Sequence, residues 1–390
     1  MASFKWANDP MPLSLTPKFI VPNENKPNLT IVSDLGDSIP TVDMGIDNEA
    51  LINDISKACE EYGFFQLINH GISNKLCHNV LQVITDFFHL PYEVKVDLLS
   101  TTHMEDGKIF KYYIKDRETN EKIFMWSEAF FHSWDPIDDS YLQNLPCNPP
   151  SYREIVADYL KQVSSLIPKI LCLISQALGL DKDYLQKRLG EKPRCTAQSN
   201  YYPPCPDPEQ TLGLRDHTDI KIITVLLADE GVPGLQVQKD GKWFAVNPKP
   251  GALIVNVGDQ LQVLSNDKYK SACHRVVNNK TTKRTTFGIF VGPEEHRKIG
   301  PIKELGGRPL YRDYTSQEFM LGFRNQEGQR RMVKECFRKT DEGESSNQTL
   351  FLTPAVVKFW RKGTKYIKKQ CMTNFQVGRL HNNFIVKSIT

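Results

Sequence analysis

The stretch LRDHTDIKIITVLL (214–227) sets His217 and Asp219 two residues apart, directly ahead of a β-branched run. In an extended strand, residues i and i+2 face the same side with their Cα atoms roughly 7 Å apart, so two metal-competent side chains converge on one spot. The spacing alone has no specificity. Nine His and 46 acidic residues among 390 predict about one His-x-acid pair, and the chain holds a second at His103-x-Glu105. The partners lie further along. His274 sits in KYKSACHRVVNN (268–279) with Ala272 and Val276 on its face. KRTTFGIFVGP (283–293) alternates Arg284, Thr286, Gly288 and Phe290 on one side with Thr285, Phe287, Ile289 and Val291 on the other. A strand that turns a cation, a hydroxyl and an aromatic ring to one side is not an ordinary core strand, because a buried Arg demands an anionic partner.

Two His and one carboxylate on one face of a metal leave the opposite positions open, an arrangement associated with non-haem Fe(II) oxygenases. Arg284 adds the planar, two-pronged donor that the distal carboxylate of an organic dicarboxylate requires. Thr286 can add a hydroxyl hydrogen bond. The combination is far more specific than any one of its parts.

The elements that must hold these residues follow from periodicity and turn chemistry. Residues 1–38, rich in Pro, Asn and Asp, read as an extended lead-in, and IPTVDM (39–44) as a short strand. Apolar residues at helical spacing run from Ala50 to Tyr62; Gly63 punctuates them, and FFQLINHGI continues as a strand ending in a turn. Helices are expected over 73–90 and 151–180, the second kinked or broken at Pro168. From 195 to 292, short β-rich segments alternate with Gly/Pro/Asn turns, which suggests a sandwich or barrel rather than βαβ units. The expected fold class is α+β, with a mostly helical region over 39–190 and a jelly-roll (double-stranded β-helix) catalytic domain over 191–337. His217 and Asp219 are expected on one strand at the barrel mouth, anchored by the apolar run behind them.

Composition narrows the class. With 40% apolar and 24% charged residues the chain reads as soluble and globular, and a net charge of +3 favours neither nucleic acid nor an acidic partner. That balance hides an asymmetry: residues 338–390 carry ten Lys/Arg against three Asp/Glu, a net of +7, which leaves −4 on the rest. The nine Cys are an odd number without C-x-x-C pairs, so a reducing compartment fits better than a disulfide framework. The N-terminus lacks the pattern of a signal peptide, and no apolar run approaches the roughly 18 residues of a membrane span. The expectation is a cytoplasmic monomer, or else a small oligomer, that acts on a small molecule.

Read in order, IPTVDM, ACEEYGFFQLINHGI, NYYPPCPDPEQTLGL, DHTD, PGLQV, NVGDQLQVLSN, KSACHRVV and PLYRDYTSQEF resemble the plant 2-oxoglutarate- and Fe(II)-dependent dioxygenases. The nearest group is that of flavanone 3-hydroxylase, hyoscyamine 6-hydroxylase and the downy-mildew-resistance-type oxygenases, and the resemblance covers roughly residues 38–337. It implies His217, Asp219 and His274 as iron ligands, Arg284 and Thr286 for the distal carboxylate of 2-oxoglutarate, and Asn200 and Tyr202 as residues that help to place that co-substrate. The family usually has Arg-x-Ser where this chain has Arg284-Thr285-Thr286; Thr keeps the hydroxyl and adds a methyl. The implied chemistry couples decarboxylation of 2-oxoglutarate to succinate, with O₂, to hydroxylation, desaturation or ring closure of a substrate, with ascorbate as reductant.

By the same resemblance the substrate pocket draws on Phe131, Gln198 and Phe290: two flat apolar walls and one neutral amide. That suits a largely neutral plant specialised metabolite, a flavonoid or other phenolic first and an alkaloid second. A gibberellin-like hormone acid would want a second cationic anchor in the pocket, and the sequence marks none. A non-catalytic jelly-roll binder is the rival from outside enzymology, and a complete ligand set with its Arg weighs against it. Other suggestive residues have plainer roles. His103 and Glu105 read as a solvated loop, His70 and His132 as structural histidines, and Cys273 as a small buried group. Residues 338–390 have no counterpart in the family: DEGESSNQ reads as a linker and VVKFWRKGTKYIKK as a basic, partly amphipathic segment.

Overall fold

The computed structural model describes residues 15–27, 39–100, 105–116, 119–136, 138–325, 333–339, 375–380 and 383–388. His103 and the linker and basic segment of the C-terminal extension lie outside the described residues, as does most of the lead-in. The chain divides into two compact units, Met1–Lys339 and Thr340–Thr390. In the second, Phe375–Leu380 pairs antiparallel with Asn383–Ser388.

In the first unit, β1 (Thr41–Asp43) leads into α1 (Asn48–Glu61), β2 (Phe64–Ile68) and α2 (Asn74–His89). β3 (Lys108–Phe110), β4 (Glu128–Trp134) and α3 (Tyr152–Ala177) follow. The β-rich half comprises β5 (Arg194–Tyr202), β6 (Leu214–His217), β7 (Ile223–Ala228), β8 (Leu235–Lys239), β9 (Lys242–Ala245), β10 (Leu253–Val257), β11 (His274–Val276) and β12 (Arg284–Gly292). α4 (Asp259–Leu264) sits between β10 and β11, and α5 (Ser316–Asn325) follows β12.

The strands form two sheets. The larger has the order β1-β2-β10-β7-β12-β5-β4-β3, and the smaller β9-β8-β11-β6. The larger sheet draws strands from both sides of residue 190. Together they make the expected jelly-roll core with helices on one side.

Local sequence explains the helices. Asp47 caps α1 by accepting from the Glu49 and Ala50 amides, and Leu51, Ile55, Ala58 and Cys59 form its buried stripe. Ser73 caps α2 by accepting from the Leu76 amide. Of the kink or break expected at Pro168, the break does not occur: α3 is a single helix of 26 residues that includes it. Proline removes one backbone donor there. Leu160, Val163, Ile167, Ile170, Leu171 and Ile174 are buried on both sides of it, and that packing holds the helix.

Alternation along β12 separates two environments. Phe287, Ile289 and Val291 join Val225 and Leu227 of β7 and Val255 of β10 in the core under the helices. Arg284, Thr286 and Phe290 turn the other way, toward a cavity between the sheets. Part of the lead-in is also pinned down: Phe19 packs against Trp126 and Cys205, and the Val21 amide donates to the Gln210 carbonyl at 3.0 Å.

Candidate metal centre and its cavity

β11 pairs antiparallel with β6 so that His274 stands opposite His217, with ring centroids 4.2 Å apart. Asp219 reaches the same point by a route the sequence reading missed. β6 ends at His217, and Asp219 lies in the connection that crosses from the smaller sheet to β7 of the larger one. The two residues therefore do not share one continuous strand; the crossover itself brings the carboxylate in. The Nε2 atoms of His217 and His274 each lie 3.8 Å from Asp219 Oδ1. Ligand atoms of all three lie within 4.8 Å of one another, the one such cluster of His, Cys and acidic groups found among the described residues.

Each donor atom is oriented from behind. His217 Nδ1 donates to the Arg215 carbonyl at 2.8 Å and His274 Nδ1 to the Ala272 carbonyl at 3.1 Å, which leaves both Nε2 lone pairs facing inward. Asp219 Oδ2 accepts from Thr224 Oγ1 at 2.6 Å and Asn256 Nδ2 at 2.9 Å, so Oδ1 is the oxygen left for a metal. Burial works to raise the Asp219 carboxyl, but the two histidines and these two hydrogen bonds outweigh it and hold the group below the ordinary carboxylate value. Two imidazole nitrogens and one carboxylate oxygen on one face suit Fe(II) with open positions opposite.

Arg284 is 3% exposed, and its Nε and Nη2 have no hydrogen-bond partner. Burial lowers its guanidinium pKa, which the neighbouring Tyr202 and Asp229 partly offset. Donors buried without acceptors fit a carboxylate guest. Gly234, from PGLQV, makes room for the guanidinium stem, since a Cβ there would sit 2.9 Å from Arg284 Cδ. Next to Arg284, the Asn200 amide donates to Thr286 Oγ1 at 3.1 Å, which frees the Thr286 hydroxyl proton to point elsewhere. Gln198 Nε2 donates to Asn200 Oδ1 at 2.6 Å, and the Tyr112 hydroxyl donates to Gln198 Oε1 at 2.8 Å. A chain of hydrogen bonds thus runs from Tyr112 through Gln198 and Asn200 to Thr286.

The structure gathers His217, Asp219, His274, Arg284, Thr286, Asn200, Tyr202, Gln198 and Phe290 around one cavity. Phe131 is the exception. It faces the same side as its strand partner Gln198, but it is 7% exposed and packs under Phe110 and Tyr112. The chain after β3 folds over it, so Tyr112 and Tyr113 supply the cavity wall assigned to Phe131, with Phe323 of α5 a further ring. The Gln198 amide, expected to meet substrate, is already engaged on both its oxygen and its nitrogen.

The sequence reading also missed Thr224, Asn256 and Lys221. Asn256 was visible as one amide in the otherwise apolar strand LIVNV, and Lys221 as one cation in the run IKIITVLL. Lys221 is half-buried at the cavity, where burial pulls its ammonium down to about 7. His70 and His132, read as structural, are held within the fold. His70 Nε2 donates to the Gly251 carbonyl at 2.8 Å while its Nδ1 accepts from the Ile72 amide. His132 is fully buried and stacks on Tyr141. Cys273 is partly exposed rather than buried.

Comparison with known proteins follows the same division of the chain. Residues 194–293 match the 2OG-Fe(II) oxygenase superfamily, and residues 39–151 match the N-terminal region described as that of a non-haem dioxygenase in morphine synthesis. The chain is 39% identical to Protein DOWNY MILDEW RESISTANCE 6 of Arabidopsis thaliana, over 80% of this chain and 91% of that protein. It is 38% identical to flavanone 3-dioxygenase 2 of Oryza sativa subsp. japonica, over 82% and 93% respectively. The crystal structure of JOX2 in complex with 2OG, Fe and JA superposes with a TM-score of 0.76 at 31% identity, covering 85% of this chain and 96% of that one.

Proposed function

The chain belongs to the 2OG-Fe(II) oxygenase superfamily and is an Fe(II)- and 2-oxoglutarate-dependent dioxygenase; from that premise we propose that it hydroxylates a flat, aromatic plant metabolite of the flavonoid or simpler phenolic class. The observation that carries the substrate class is the cavity wall of Tyr112, Tyr113, Phe290 and Phe323 beside the His217–Asp219–His274 cluster. Such rings favour an aromatic guest, which stacks on them or meets them edge-on. The similarity to a protein named flavanone 3-dioxygenase supports the same reading. An alkaloid is less well matched, because Lys221 would repel a protonated amine.

In this reading His217 Nε2, His274 Nε2 and Asp219 Oδ1 hold the iron, and Thr224 and Asn256 keep the carboxylate turned. Arg284 Nε and Nη2, with the Thr286 hydroxyl, hold the distal carboxylate of 2-oxoglutarate. Asn200 and Tyr202 set the rotamers of Thr286 and Arg284. Bound Fe(II) would supply the oxidising chemistry with O₂ as the oxidant: one oxygen atom goes into the succinate formed, with CO₂, from 2-oxoglutarate, and the other into the substrate C–H bond. The protein orients both partners and keeps water from the reacting carbon. We place the enzyme in the cytoplasm, a reading supported by the eight described cysteines, none of which forms a disulfide.

The test is incubation of the purified protein, Fe(II), ascorbate and 2-oxoglutarate with a plant metabolite extract, followed by mass spectrometry. Gains of one oxygen, or losses of two hydrogens, are expected on aromatic metabolites and only when 2-oxoglutarate is present. Reaction of gibberellin-type acids alone, unaffected by Phe290→Ala and Tyr113→Ala, would overturn the proposal.

A further inference from the structure

Lys221 lies two residues after Asp219, in the crossover between the two sheets, and lines the same cavity as the His-Asp-His cluster. Its backbone is clamped. The Lys221 carbonyl accepts from the Gln260 amide at 3.1 Å, and Gly258 approaches so closely that a Cβ there would lie 2.1 Å from that oxygen. The side chain then lies across Gly292, where an added Cβ would meet Lys221 Cδ at 3.1 Å. Its Nζ donates to Thr196 Oγ1 at 2.8 Å, the Arg194 carbonyl at 3.0 Å and the Phe290 carbonyl at 3.3 Å.

All three acceptors are neutral. The titratable groups that act on Lys221 are Arg194, itself a cation paired with Glu295, and the Cys195 thiol. Among the described residues, no carboxylate balances this ammonium. The other charges of the cavity have partners or assigned guests. Arg215 and Asp216 lie 3.5 Å apart, Asp219 faces the two histidines, and Arg284 awaits the co-substrate. A half-buried ammonium held only by neutral dipoles has the desolvation cost of burial without the Coulombic return. An anionic group arriving in the cavity supplies that return.

We propose that Lys221 is a specificity-determining residue that anchors a carboxylate of the aromatic substrate. The inference rests on the function proposed above and narrows it, from a neutral phenolic to an aromatic acid. Lys221 and Asp219 line the same cavity, so an acid held by Lys221 lies in the cavity that the metal-binding carboxylate faces. It also supplies the second cationic anchor that the sequence left unmarked. Lys221 acts as a point charge here, so it selects for anionic groups without dictating one planar geometry.

Benzoate, cinnamate and 4-coumarate, each with its primary amide, form the probe set. Binding to the protein loaded with Fe(II) and 2-oxoglutarate is measured anaerobically by calorimetry, and turnover by oxygen gain in air. All three N–H groups of Lys221 are already donated, so the carboxylate takes the place of the Phe290 carbonyl, the longest of the three contacts at 3.3 Å. The wild type is expected to bind at least one acid about tenfold to a hundredfold more tightly than its amide, the scale of exchanging a neutral acceptor for a charged one. Lys221→Met should erase that preference and Lys221→Arg should keep it. Should Lys221→Met fail to fold, the acid-to-amide ratio of the wild type and of Lys221→Arg decides the question. Equal binding of every acid and amide, or an acid preference that survives Lys221→Met, overturns the inference. If neutral aromatics gain oxygen with no preference for acids, Lys221 loses this role while the hydroxylase reading stands. If no aromatic compound, acid or neutral, gains oxygen, the hydroxylase reading falls and takes this inference with it.

Discussion

Asn256 donates a hydrogen bond to Asp219 Oδ2 at 2.9 Å, from 37 residues further along the chain. Asn256 comes from a central strand of the larger sheet and Asp219 from the crossover, so the bond ties the metal-binding carboxylate to the rigid part of the fold. Asn256→Ala and Thr224→Val should each weaken Fe(II) binding, by about 10- to 100-fold, as loss of an outer hydrogen-bond partner generally does. An Fe(II) titration of activity checks this, and an unchanged half-saturation would refute it. His274→Ala, which removes a ligand outright, should abolish iron-dependent turnover.

Arg284→Lys keeps the charge and loses the fork. The expected outcome is a rise in the KM for 2-oxoglutarate of about tenfold or more, with a much smaller change in the KM for the aromatic substrate. Steady-state kinetics with each substrate varied in turn will show it. An unaltered dependence on 2-oxoglutarate would reduce Arg284 to a structural cation. Thr286→Ser retains the hydroxyl that Asn200 orients and should behave nearly as the wild type.

The C-terminal boundary can be tested by truncation. Lys334 Nζ donates to Asp259 Oδ1 at 2.7 Å, and that carboxylate, 1% exposed, also accepts from Thr218 beside the metal ligands. Arg338 pairs with Asp267 at 2.9 Å, and the Lys339 amide donates to the Leu310 carbonyl. Ending the chain after Lys339 should therefore leave a folded enzyme with an undiminished melting temperature. Lys334→Ala strands Asp259 without its cation and should cost about 3–5 kcal/mol, the scale for one half of a buried ion pair. Equal melting temperatures for Lys334→Ala and wild type would contradict this account.

His132 makes stability depend on pH. Burial holds its imidazole at about 4 against the ordinary 6.5, and its Nε2 has no hydrogen-bond partner. Above pH 6.5 the ring is neutral in both folded and unfolded chains, and its contribution to stability is fully present. As the pH falls from 6.5 toward 4, the unfolded chain takes up a proton that the folded one refuses. About 3 kcal/mol is lost across that window, at 1.36 kcal/mol per pH unit. His132→Phe keeps the aromatic contacts and should flatten the melting-temperature profile between these values; parallel profiles for the two proteins would rule the mechanism out.

Which side chains share a face was legible in the sequence because strand alternation is a local property. Arg284, Thr286 and Phe290 had to face one way and Phe287, Ile289 and Val291 the other, whatever the sheets did around them. The same rule set His274 inward, and the ordered segments from IPTVDM to PLYRDYTSQEF carried the family and the jelly roll. Only the tertiary structure decided what closes over those residues. Local spacing read His217 and Asp219 as neighbours on one strand, whereas a crossover between sheets brings them together. Phe131 had the right face but lies beneath Tyr112, because burial depends on which loop folds over a strand. The couplings of Asn256 to Asp219 and of Lys334 to Asp259 join residues tens of positions apart, and so does the seat of Lys221 among Thr196, Arg194 and Phe290. No periodicity encodes such pairs, since they exist only once the hydrophobic collapse of the sheets and helices has brought distant segments within hydrogen-bonding distance.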